Sequence, residues 1–253
     1  VVDPARKMSC RDDFKLFCKT YMPKSFTAEW GPDRTRITNH FELAVEDSLW
    51  TLVVVDHGIG STTIVEAGAL WLALYGRSWF TATIHHSRRA SEALAENIKS
   101  ECLWNDLLLE DFPEAIYPIR KLDGITQRAA FQTCDGSLTS IEWRGDVIRF
   151  PSIKGSPASG CVIQSFSIMG AFVGVSTRAG PEMTRTRPTF VFVDDPFDAE
   201  TLRSATMCMH RKATLAGEVS RLGARGPKTA GMSIFSKEAF DLIQQDQEGK
   251  VGQ

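Results

Sequence analysis

The sequence predicts an α/β fold with a mostly parallel central sheet flanked by helices, and two segments carry that reading. Leu52 to Val55 is apolar at every position and breaks into a turn containing Gly58 and Gly60 before a helical pattern starts at Ser61. Phe190 to Val193 is equally apolar and ends in Asp194 and Asp195. Continuous apolar runs are the habit of strands buried on both faces of a parallel sheet, and open sheets of this kind place ligands at the carboxyl ends of their strands. With 253 residues, 43% of them hydrophobic, the chain can bury a substantial core, so one domain over 1–253 is expected.

The other elements follow in order. Phe14, Phe17, Cys18 and Tyr21 recur at helical spacing, and Pro23 ends that pattern. Thr38 or Asn39 can cap a helix carrying Phe41, Leu43, Ala44 and Leu49 toward the first core strand. After the glycine turn, Ser61 to Tyr75 is helical and Gly76 is its stop. Trp79 to Ile84 reads as a second strand, and Ser87 caps a helix with Ala90, Leu94, Ile98 and Cys102 on one face. His85 and His86 lie between them, but neighbouring side chains on an extended chain point apart, which argues against a shared metal. From Leu138 to Ile168 the turns crowd together, as in a hairpin-rich insertion. Ala199 to Leu222 reads as one long helix ending at Gly223, and Thr229 to Phe235 as another buried strand.

The segment around the turn has the layout of a phosphate-binding loop. In the general pattern G-x-x-x-x-G-K-[ST], glycines let backbone N–H groups approach phosphate, the lysine neutralises it and the hydroxyl serves Mg²⁺. Here Gly58 and Gly60 keep the turn, Thr62 keeps the hydroxyl, and Ser61 stands where the lysine belongs. The helix N-terminus still offers free N–H groups and the positive end of its dipole to an anion. Asp194 is then the candidate Mg²⁺ group, with Thr62, and Asp195 the residue that orients or deprotonates the attacking water.

Taken together, the two motifs make the chain resemble the N-terminal ATPase domains of phage large terminase subunits, from about Phe14 to about Ser233. The helix Thr62 to Gly76, the segment Asn105 to Glu114, the stretch Gly155 to Gly160, Arg187 with Pro188, and Ser204 share in the resemblance. It implies a phosphate-binding-loop NTPase of the ASCE type, with ATP and Mg²⁺ as cofactors. Residues 1–48 become a helical region on the adenine side, 49–235 the core, and 236–253 a C-terminal helix or tail. In this frame Gly58, Ile59, Gly60, Ser61, Thr62 and Thr63 cradle the nucleotide, and Trp30 stacks on its base. Arg225 and Lys228, which flank Gly226 and Pro227, are the candidates to reach a neighbour's phosphates in trans. The implied activity is ATP hydrolysis powering the packaging of double-stranded DNA into a viral capsid in the host cytoplasm. Portal, small terminase subunit and a homo-oligomeric ring are the implied partners, with no membrane. The nuclease domain that usually follows has no room here. Val1 in first place and a polar tail suggest a segment of a longer protein.

The chain departs from the family's pattern at the loop, where Asp56 to Thr63 lacks both usual basic residues, and at Gly170 to Gly174, where arginines are usual. No Lys or Arg occurs between Thr51 and Tyr75. Two readings therefore stay open: an ATPase with impaired hydrolysis, or a non-hydrolysing nucleotide-sensing or structural module on the same fold. A small-molecule kinase ranks last, since no acceptor motif is evident.

Charge and cysteine usage set further bounds. A net charge of −2 gives no global attraction to nucleic acid, so DNA binding by the isolated chain should be weak. The basic clusters Arg178, Arg185, Arg187 and Arg211, Lys212, Arg221, Arg225, Lys228 read first as solvated faces. Six cysteines show no zinc-type spacing and read as buried small groups.

Overall fold

The computed structural model describes residues 1–56, 58–170, 172, 174–219, 222, 229–241 and 244. Asp3 and Asp13 cap helices α1 (Pro4–Arg11) and α2 (Phe14–Tyr21) by accepting from Arg6 N and Leu16 N. Helix α3 (Pro32–Glu46) starts well before the expected caps, because Pro32 after Gly31 suits a first helical position. Thr38 lies inside it, its hydroxyl donating to the carbonyls of Arg34 and Thr35.

Strand β1 (Trp50–Val55), helix α4 (Ser61–Leu74), strand β2 (Phe80–His85) and helix α5 (Arg88–Trp104) follow, with Ser87 Oγ accepting from Ala90 N as the expected cap. Helices α6 (Asp106–Asp111) and α7 (Pro113–Arg120) and a 3₁₀ turn at Thr126–Ala130 lead to the small hairpin β3 (Thr133–Cys134) and β4 (Ser137–Leu138). The anticipated hairpin region holds β5 (Glu142–Arg144) and β6 (Val147–Arg149) before β7 (Val162–Ser167). A second hairpin, β8 (Thr177–Ala179) and β9 (Thr184–Thr186), precedes β10 (Phe190–Asp194). The long helix expected after it is two helices, α8 (Ala199–Leu202) and α9 (Ala205–Gly217), because Ser204 restarts the helix by accepting from Met207 N. Strand β11 (Ala230–Ser236) completes the sheet.

Among the described residues one sheet holds seven strands in the order β1-β11-β10-β2-β7-β6-β5. The first five run parallel, and β6 and β5 extend the edge in antiparallel pairing. The structure is thus α/β with a mostly parallel sheet flanked by helices. Side chains alternate across it as strand geometry requires. Phe190 and Phe192 cluster with Phe41 of α3 and with the buried residues of α4 and α5, while Val191 and Val193 cluster with Ala82, Ile84, Ile168, Phe172, Val219 and Leu222.

Helix α4 is buried almost all round, since the sheet lies on one side and the N-terminal helices on the other. Trp71 Nε1 donates to the Cys10 carbonyl, and the Tyr75 hydroxyl donates to that of Lys7. Gly68 lets α4 approach closely: a Cβ there would sit 2.9 Å from Phe192 Cζ and 3.2 Å from Phe41 Cζ. All six cysteines are free thiols, five of them buried. Among the described residues no helix is long and apolar enough to cross a membrane.

Candidate functional site

The site lies where β1 turns into α4, facing the end of β10. Gly58 and Gly60 both adopt φ of 83°, the left-handed region that side chains with a Cβ rarely enter. Gly60 is the N-cap of α4 and provides no side chain to cap it, so the N–H groups of the helix's first turn keep their capacity for an outside acceptor. His57 lies outside the described residues.

Thr62, in that first turn, donates from Oγ1 to Asp194 Oδ2 at 2.6 Å. The two groups reach each other although β1 and β10 are not neighbours, because β11 alone lies between them. On the other side, β2 pairs with β10 so that His85 and Asp194 are register partners, and His85 Nδ1 lies 3.5 Å from Asp194 Oδ2. Asp194 is only 2% exposed, and its Oδ1 is buried without a hydrogen-bond partner, as is His85 Nε2. Burial alone would raise the Asp194 pKa, but bonding from His85, Thr62 and Ser61 outweighs it and holds the carboxyl below its ordinary value.

These groups suit Mg²⁺ chemically: a hydroxyl and a carboxylate are hard oxygen donors, and Oδ1 is a buried acceptor without a donor. Among the described residues no group of three or more His, Cys, Asp or Glu could hold a metal alone. An ion here would complete its shell with phosphate oxygens and water, which is the usual manner for Mg²⁺.

One turn deeper along α4 lies Glu66, 6% exposed and accepting from Asn97 Nδ2 at 2.6 Å. Burial, together with the nearby Asp194 charge, pushes its pKa up to about 7 despite the Asn97 bond.

The loop's positive charge comes from α3. Arg34 Nε donates to the Ile59 carbonyl at 2.9 Å and Nη1 to the Ala28 carbonyl at 3.1 Å. Its Nη2 lies 3.3 Å from where a Cβ on Gly60 would be.

Of the residues expected at the site, Gly58, Ile59, Gly60, Ser61, Thr62, Thr63 and Asp194 are brought together on the loop, the first turn of α4 and the end of β10. Asp195 follows on β10 with φ of 40°, and its N–H bonds the Ile234 carbonyl at 2.9 Å. Trp30 packs on Phe26, with ring centroids 5.3 Å apart, and the ammonium groups of Lys15 and Lys19 lie over its ring. The cavity beside the end of β1, about 450 Å³, is lined by Asp33, Arg36, Val54, Val55, Asp56, Lys237, Phe240 and Asp241, and Trp30 is not among its walls. Arg225 and Lys228 lie outside the described residues. Arg211, read from sequence as part of a solvated basic face, is 4% exposed and donates from Nη1 to the Pro196 carbonyl at 2.6 Å, bracing the turn after Asp195.

Sequence reasoning missed Arg34, His85 as a neighbour of Asp194, and Glu66. Glu66 carried a signal: an acid amid an otherwise apolar helix, one turn after Thr62. Arg34 carried none, because its nearness to Ile59 depends on how α3 docks. No protein-family model matches the sequence, and no curated protein matches it.

Proposed function

We propose that this chain binds ATP with Mg²⁺ at the β1–α4 turn, as an ATPase domain of the terminase type that serves to package double-stranded DNA. The observation that carries the reading is the Thr62–Asp194 hydrogen bond, which joins the hydroxyl of a glycine-loop helix to a buried strand-end carboxylate with one oxygen unpartnered. That combination of hydroxyl and acid is the protein's share of a Mg²⁺–phosphate site. The strand order supports it as well, since β11 stands between the loop strand and the acidic strand in the manner of the ASCE arrangement.

In this reading the backbone N–H groups from Gly58 to Ser61 hold phosphate oxygens, and Thr62 and Asp194 hold the metal. Mg²⁺, when bound, supplies charge neutralisation for the transferring phosphoryl group. Asp195 orients the attacking water, and Trp30 remains the candidate to stack on the base. Cations for a neighbouring subunit's site remain assigned to Arg225 and Lys228, within a homo-oligomeric ring acting on DNA with portal and small subunit in the host cytoplasm.

A second reading, a nucleotide-sensing module without turnover, is favoured by Ser61 in the lysine position and by Asp195, whose carboxylate is one methylene shorter than the glutamate usual in the family. Titration calorimetry with ATP and Mg²⁺, followed by a phosphate-release assay with and without duplex DNA, separates the two. Binding with DNA-stimulated turnover is the expected result. Binding without turnover selects the sensing module, and no binding at all rejects both readings.

A further inference from the structure

We infer that Arg34 is the phosphate-binding cation of this site, delivering from α3 the charge that the glycine loop itself lacks. The inference rests on the loop being a phosphate site, as proposed above. Three features of Arg34 carry it.

First, the side chain is held in place by the loop it would serve. Nε and Nη1 are bonded to the carbonyls of Ile59 and Ala28, which immobilises the guanidinium before any ligand arrives. Such a fork loses less freedom on binding an oxyanion than a lysine on a flexible stem does. Second, its charge is unspent: both bonds go to neutral carbonyls, and no ion pair among the described residues includes Arg34. Third, Nη2 is directed to the turn itself, 3.3 Å from the absent Cβ of Gly60. Gly60 therefore does two things. Its φ of 83° shapes the turn, and its missing side chain leaves the guanidinium beside the start of α4.

The ligand this arrangement suits is a di- or triphosphate. Nη2, the guanidinium nitrogen that neither carbonyl engages, can donate to an oxygen of one phosphate group, while the first turn of α4 offers backbone N–H groups to another. The unpartnered Oδ1 of buried Asp194 makes it more than a helix terminus, because it adds an acceptor for a phosphate-bound cation. Ser61 standing in the lysine position ceases to be a defect in this arrangement, since the cation arrives through space from a residue some two dozen positions earlier in the chain.

Calorimetric titrations of the full chain with Mg²⁺-ATP, with pyrophosphate and with adenosine test the inference. Arg34→Gln should weaken ATP and pyrophosphate by roughly ten- to hundredfold, the contribution of a charge-assisted hydrogen bond, and leave adenosine unchanged. Arg34→Lys should recover part of the loss, which a purely structural staple of the loop would not require. The unaltered protein gives a second measurement that does not depend on a variant folding: saturating pyrophosphate should protect Arg34 from phenylglyoxal, read by peptide mass spectrometry. Equal ATP affinity in Arg34→Gln, or equal modification of Arg34 with and without pyrophosphate, overturns the inference and leaves the nucleotide site standing. Failure of the unaltered chain to bind either ATP or pyrophosphate overturns both.

Discussion

Thr62 and Asp194, 132 residues apart in the chain, are joined by a 2.6 Å hydrogen bond that ties the N-terminus of α4 to the end of β10. The Asp194 carboxylate is buried although it sits at a strand end, so its charge is both expensive and useful. Asp194→Asn keeps the shape and a carbonyl acceptor for Thr62 while removing the charge. We expect the variant to fold, with stability changed by about 1–3 kcal/mol, and to lose the Mg²⁺ dependence of nucleotide binding. Titrations with Mg²⁺ and with EDTA check this, and retained metal dependence would remove Asp194 from the site.

Ser61→Lys restores charge within the loop. A charge-assisted bond contributes about 1.5–3 kcal/mol, and so ATP should bind roughly ten- to hundredfold more tightly. Ser61 already interacts with the Asp194 carboxylate, which will compete for the new ammonium and draw the gain toward the lower end of that range. An unchanged dissociation constant for ATP would show that a side chain at position 61 does not reach the phosphates.

Glu66 makes stability depend on pH. Its carboxyl titrates near 7 in the folded protein against an ordinary value of 4.5, so the native state holds a proton that the unfolded chain releases between those values. Stability from this group is therefore complete below about pH 4.5, falls as pH rises toward 7, and is level above it, a span of about 3 kcal/mol. Glu66→Gln keeps an acceptor for Asn97 and should flatten that slope, leaving the variant more stable than the parent at pH 8. Urea melts at pH 5 and pH 8 without nucleotide make the comparison, and parallel slopes in the two proteins would refute it.

Gly68→Ala tests the fit between α4 and the sheet. The added methyl meets Phe192 and Phe41, rings that are themselves packed 5.3 Å apart, and overfilling of this kind costs about 1–3 kcal/mol. Gly217→Ala, at the end of α9 with nothing within 4 Å, is the control and should be neutral or slightly stabilising. Equal melting temperatures for the two variants would contradict the close approach.

The core strands were largely legible from the amino-acid order, but not their faces: Leu52 of the apolar β1 run is exposed because β1 lies at the edge of the sheet. Phe190 to Asp194 is a strand because its first four residues are apolar, and Ser61 to Leu74 a helix because a glycine turn and a mostly apolar stretch, broken by Glu66, leave few alternatives. What escaped reading depended on tertiary position. Pro32 opened α3 earlier than Thr38 could, since a ring fixed at helical φ competes well with a distant hydroxyl. Trp30 packs on Phe26 with Lys15 and Lys19 over its ring, contacts that its place in the chain did not reveal. Arg211 looked solvated because charge is usually outside, whereas the Pro196 carbonyl draws it in.

Placement of β11 between β1 and β10 sets the distance between the two halves of the site. The strand carrying the glycine turn and the strand carrying the acid each hydrogen-bond to β11 and not to one another. Their separation is two strand spacings in series, each roughly 4.8 Å, so β11 works as a gauge block. A tilt or slide of that one strand would part Asp194 from Thr62 while leaving each on its own intact support. A force applied to β11 from elsewhere in the chain would thus be felt as a change in the Thr62–Asp194 distance, and anything that draws those two side chains together would be felt as tension on β11.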